Sequence, residues 1–154
     1  MNVEFVNDMP ESRPTTDPLS TASAVPYPAL TRAARELFRS IDAMDVAAVL
    51  EMFAEDCALR FANQERVLGR SGVRQVIEAL FSGIRALNHS ITGLWSGTWE
   101  RGAVVSVESE VTYTGLDGVR LEPLPATSTL RIERGLIQDF RVFMDPSPLF
   151  PTET

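Results

Sequence analysis

Residues 129–145 read TLRIERGLIQDFRVFMD, and the folding of this stretch decides the rest. Arg134-Gly135 divides it into two runs of alternating apolar residues. That is the pattern of two strands joined by a tight hairpin, with Gly135 supplying the positive φ that such turns need. Side chains point alternately to the two faces of a strand. Phe140, Val142 and Met144 therefore share one face, and Asp139, Arg141, Phe143 and Asp145 share the other. The first face is a continuous apolar wall that needs helices against it. The second is polar around one Phe and suits water or a second subunit. Pro146 and Pro148 end the strand, because proline has no N–H to give to a ladder.

Upstream of this hairpin the sequence keeps the strand period back to Asn88. HSITGLWSGTW is one strand, Arg101-Gly102 turns it, and AVVSVESEVTYT is a second, rich in Val and Thr. Asp117-Gly118 is a hairpin signal. VRLEPLPATSTLRIE follows as a third strand, where Pro123 and Pro125 mark an edge, a bulge or an irregular entry. Earlier still the period is helical. Leu30, Ala33, Ala34, Leu37, Phe38 and Ile41 follow helix spacing from Ala29 to the break at Met44. Asp45 is an N-cap for a second helix, VAAVLEMFA, and Ala58-Leu59-Arg60-Phe61 reads as a short strand. Gly69 turns the chain and Ser71 caps a third helix with Val73, Val76, Ile77, Leu80, Phe81 and Ile84 as its stripe. Three helices followed by four antiparallel strands is an α+β plan.

Residues 1–28 hold five of the ten prolines, with Ser and Thr between them. Such a composition buries too little apolar surface to offset ordering entropy, which predicts a flexible arm before a single domain over 29–150. Val3, Phe5 and Val6 alternate, so an arm reaching over a neighbouring subunit is the other reading. A net charge of −7 and no lysine argue against a nucleic-acid partner, since phosphate binding needs a basic surface. One Cys and one His in 154 residues leave no cysteine cluster and no set of imidazoles for zinc. No metal or other cofactor is therefore expected. No apolar run approaches membrane-spanning length, and the first residues lack a basic start and an apolar centre. The cytoplasm is the expected compartment.

DAMDVAAVLEMFAEDCALRF, GRSGVRQVIEALF, the Asp-Gly hairpin and GLIQDFRVFMDPSPL, in this order and spacing, resemble the SnoaL-like branch of the nuclear transport factor 2-like superfamily. The resemblance implies a cone-like α+β barrel: three N-terminal helices packed in a strongly curved, mainly antiparallel sheet, with a pocket at one end. It also implies a homodimer through the outer sheet face. Its members include polyketide cyclases, ketosteroid isomerases, limonene-epoxide hydrolases and catalytically silent binding domains. Such a range means that function must be argued from the site. The hydrolase pattern places its Arg between two Asp at Glu108, Glu110 and Val142, and its water-holding Tyr and Asn at Leu59 and Phe61. Val142 accepts no proton, so that mechanism does not carry over. The isomerase Asp falls at or beside Phe61, where there is no carboxylate.

Glu108 and Glu110 are the candidate acid–base pair. They share one face of their strand, opposite Val105, Val107, Val111 and Tyr113. The resemblance turns the acids into a pocket among Leu59, Phe61, Phe140, Val142 and Met144, where desolvation would raise their pKa. Alternation alone turns the valines inward and leaves the acids in water. His89 is the third catalytic candidate, since its ordinary pKa suits proton transfer near neutrality. A histidine at an element boundary is also a common structural hydrogen-bonding group. Trp95 is read either as a ligand platform or as packing and subunit contact. The expected activity is therefore binding of a small apolar molecule, with metal-independent isomerase, cyclase or hydratase chemistry. The alternative is a non-catalytic dimeric module that binds a ligand or a protein.

Overall fold

Helix α1, Tyr27–Asp42, buries Leu30, Ala34, Leu37, Phe38 and Ile41 along one stripe. The computed structural model describes residues 27–150, so the expected arm lies outside the described residues up to position 26. Tyr27 and Pro28, read as the end of that arm, form the first turn of α1. Proline is tolerated there because first-turn N–H groups have no intrahelical acceptor. Asp45 caps α2, Val46–Glu51, by accepting the Ala48 N–H at 3.1 Å. This helix is shorter than its periodicity predicts. Phe53 and Ala54 already belong to β1, Phe53–Phe61, because Phe53 pairs with Ile137 in the sheet and both residues are buried there. Tertiary pairing here overrides local propensity.

After the short β2, Val67–Leu68, helix α3 spans Gly69–Ser82. Its start corrects the expected cap: Leu68, not Ser71, holds the N-cap position and makes no side-chain hydrogen bond. Gly69 takes a φ of +76°, a left-handed value that turns the strand directly into the helix. Arg70 then ties this corner to β1, donating from Nε to the Phe53 carbonyl at 2.8 Å. Strand β3, Ile84–Trp99, begins earlier than its pattern indicated, and β4 covers Gly102–Gly115. The Asp117 carboxylate accepts the Val119 N–H at 2.9 Å in the expected turn. Strand β5 runs only over Leu124–Glu133, so Val119–Pro123 lies outside it apart from one bridge between Thr114 and Arg120. Strand β6 is Leu136–Met144, reached through Arg134 and Gly135 at φ 52° and 77°. Both values are left-handed, as a two-residue hairpin turn requires.

Among the described residues the six strands form one sheet in the order β2-β1-β6-β5-β4-β3, and it is not closed. The fold is thus α+β with an open sheet, and β1 and β2 precede α3. The β1–β6 pair is parallel and the others are antiparallel. Register shifts at Ile84/Ala86, Ile91/Gly93 and Arg131/Ile132 insert residues that bend the strands. Helix α1 packs on β3 and β4, and α3 on β1 and β3.

The other face of the sheet is polar, with exposed Trp95 and Phe143. Asp139 is the exception there, a carboxylate only 7% exposed. Arg141 Nη2 donates to its Oδ2 at 2.9 Å, and Arg131 Nη1 approaches the same oxygen to 3.8 Å. A buried charge persists only with such partners. Arg141 thus spends its charge on its own strand. Asp145 accepts the Ser147 N–H, and that bond holds its carboxyl below the usual range.

Candidate functional site

Phe140, Val142 and Met144 of β6, with Leu59 and Phe61 of β1, form one wall of a cavity of about 60 Å³ on the helix-covered face. Phe38 and Ile41 of α1 and four α3 residues, Val76, Ile77, Leu80 and Phe81, close the other side. The lining is apolar except for His89, Tyr113 and Ser128.

Asp42, the last residue of α1, fixes His89. Its Oδ2 accepts the His89 backbone N–H at 3.0 Å, and its Oδ1 lies 2.6 Å from Nδ1. A carboxylate only accepts, so in the neutral ring the proton sits on Nδ1 and Nε2 keeps its lone pair. His89 lies on the cavity wall. The imidazole is 10% exposed and stacks obliquely on Phe38, 4.8 Å between centroids. The result is an oriented base facing an apolar space.

Tyr113 stands on β4 diagonally across from His89, since His89 pairs with Val111 and Leu87 with Tyr113. It is 3% exposed, and its hydroxyl contacts the Met144 sulfur at 3.9 Å. Burial, and then the Asp42 charge, push its pKa up to about 12. The phenol therefore stays protonated in any physiological range and serves as a donor. The native state holds this proton more tightly than the unfolded chain, whose tyrosines ionise near 10. Stability is therefore full below about pH 10 and falls by roughly 3 kcal/mol as pH rises towards 12. Urea denaturation between pH 9 and 12 should show a larger loss in the parent than in Tyr113→Phe, where only the buried Cys57 thiol still contributes. No lysine titrates alongside. Parallel losses in both proteins would refute the assignment.

The structure corrects the placement of Glu108 and Glu110. Both are exposed on the outer face, beside Pro125, Thr127 and Phe143 in a shallow hollow. The reason is the pleat: Val105, Val107, Ser109, Val111 and Tyr113 are all buried, and the even positions must then face out. Burying that set gains far more than burying two carboxylates. Trp95 likewise stands outside the cavity, 55% exposed, its ring lying over Gly93. Asp42 was not singled out in the sequence, although it follows Phe38 by four positions at the border of the α1 stripe, where an acid is out of place. Cys57 is buried and its thiol pKa is raised by that burial, which suits packing and not attack. Among the described residues, no group of three or more His, Cys, Asp or Glu can hold a metal ion, and no helix is long and apolar enough to cross a membrane.

Solved structures share this architecture. One is an NTF2-like protein of unknown function from Burkholderia pseudomallei, with a TM-score of 0.69 at 16% identity, covering 80% of this chain and 98% of that one. Another is an LEH-like epoxide hydrolase from M. tuberculosis, with a TM-score of 0.64 at 15% identity over 80% and 87% of the two chains. The epoxide hydrolase/cyclase-like enzyme SalBIII, of pyran ring formation in salinomycin, gives 0.64 at 21% identity over 75% and 89%. At these identities the likeness is one of fold. Among curated proteins none matches the chain. The SnoaL-like domain family matches residues 34–140, the span from the middle of α1 to Phe140 in the cavity wall, and the chain belongs to that family.

Proposed function

We propose that the chain binds a small, largely apolar molecule in this cavity and moves a proton on it, in an isomerase-, cyclase- or hydratase-type reaction. The supporting observation is the Asp42–His89 pair, a base oriented by a carboxylate at 2.6 Å and opening on an apolar wall. In this reading Nε2 takes a proton from the substrate, and Asp42 steadies the resulting imidazolium. Tyr113 donates to the oxygen on which negative charge develops, and Nε2 then returns its proton. Epoxide opening and pyran closure, the chemistry named for two structural neighbours, both need a proton moved at oxygen. The test is deuterium uptake from D2O into a panel of small enolisable ketones and hydroxyketones, with epoxides followed by diol formation. Uptake should occur with the parent and fall at least about a hundredfold in His89→Gln. Ligands that bind without exchange or turnover would make the chain a binding module.

We also propose a two-fold dimer through the outer sheet face. Trp95 and Phe143 are exposed there, and the exposed Arg60 lies at one side while Glu108 and Glu110 lie at the other. A two-fold axis between these sides sets the acids of one copy against Arg60 of the next. Light scattering at micromolar concentration should report a dimer, weakened in Glu110→Arg. A monomeric parent would exclude it.

A further inference from the structure

We infer that the substrate is a two-part molecule, with a small oxygen-bearing head in the His89 cavity and a neutral apolar body in a second cavity beside it. Which end reacts rests on the proposed role of His89; the two-part fit does not.

The second cavity measures about 420 Å³. It shares Phe61, Val76 and Leu80 with the inner one, so these three side chains are a common partition. Helix spacing explains the division: Val76 and Leu80, one turn apart, serve both cavities, while Gln75 and Ala79, the adjacent column, face the outer one. The outer wall comes from the end of the described chain, where the turn Ser147–Leu149 brings Leu149 and Phe150 over α3.

Volume and chemistry are divided between the two. Ligand sites commonly enclose about 300–1,000 Å³. The outer cavity falls in that range and the inner falls well below it, with room for only a few non-hydrogen atoms. Yet the inner one holds His89 and Tyr113, and none of the described residues lining the outer one is titratable. A drug-sized molecule that meets the base would therefore have to pass Phe61, a lining residue of both cavities, into the outer space. No charged side chain among the described lining residues awaits it there, so a carboxylate or ammonium on the body would be desolvated without a partner. Gln64 and Gln75 each offer an amide that both donates and accepts, matching a carbonyl or hydroxyl on an otherwise apolar body.

The test is the affinity of the full chain for straight-chain methyl ketones from four to twelve carbons, measured by calorimetry. Affinity should rise about threefold per added methylene until the outer cavity is full, and then level off. Fatty carboxylates of equal length should bind at least tenfold more weakly. Ala79→Trp, made at an exposed helix position, should fill the outer cavity and remove about tenfold from the long ketones while sparing the shortest. Phe150→Ala should move the plateau to longer chains. His89→Gln should keep the length dependence, so loss of turnover in that variant speaks only to the base. Equal affinity along the series, as when the chain's own ends fill the space, overturns the inference. So does an Ala79→Trp protein that binds the long ketones as the parent does.

Discussion

Asp42→Asn is expected to lower turnover on substrates of the cavity by roughly 10²–10⁴ while leaving their affinity nearly unchanged. In the parent, both Asp42 oxygens accept, one from the His89 backbone N–H at 3.0 Å and one from Nδ1 at 2.6 Å. The asparagine amide keeps one acceptor and gains a donor. With its oxygen retained by the backbone N–H, its NH2 group meets Nδ1, which must then accept. The proton moves to Nε2, and the base facing the cavity becomes a donor. The chain has one histidine, so the two ring nitrogens give one assignable pair of 15N resonances. Near pH 8 the parent should show protonated Nδ1 and bare Nε2, and Asp42→Asn the reverse. A parent with the proton on Nε2 would remove the base from the mechanism, whatever the variant's turnover.

The fold was most legible where its cause is local. The left-handed pair Arg134 and Gly135 and the Asp117 turn are dictated within a few residues, and the α1 stripe within five turns. The border between α2 and β1 was not, because Phe53 and Ala54 satisfy a helical stripe and a buried strand equally well. Only pairing with Ile137, more than eighty positions away, decides between them. The parallel run of β1 beside β6 has the same non-local origin.

The site divided along similar lines. Alternation in β4 alone gives the right answer for Glu108 and Glu110, since five buried odd-numbered positions outweigh two acids. The resemblance pointed the other way because families of this fold keep the scaffold while the groups lining it change. The Asp42–His89 pair joins the end of a helix to a strand 47 positions later. No spacing rule connects such residues. The legible sign was an acid beside an apolar stripe, a place where a carboxylate needs a specific partner.

Phe53→Ala is expected to cost about 4 kcal/mol of stability. Phe53 is fully buried at the first position of β1, and its ring meets Phe140 edge to face, with centroids 6.0 Å apart. Phe140 in turn meets Phe38 of α1 at 6.4 Å, so the three rings link the parallel strand pair to the first helix. Truncation removes the transfer energy of a benzyl group and the edge contact. It also leaves a void that the sheet cannot close, because the Phe53 carbonyl is held by Arg70 and its strand by Ile137. For a domain stable by about 5–15 kcal/mol this is a large share. A fall in melting temperature of about 12 °C follows at the usual few degrees per kcal/mol. Phe53→Leu refills most of the space and should lose roughly half as much. Trp95→Ala, on the exposed face, should shift the urea midpoint of dilute protein far less than either. The measurement is that midpoint at constant slope, well below the dimer concentration. If Phe53→Ala and Trp95→Ala cost the same, the three-ring cluster is not what joins β1 to α1.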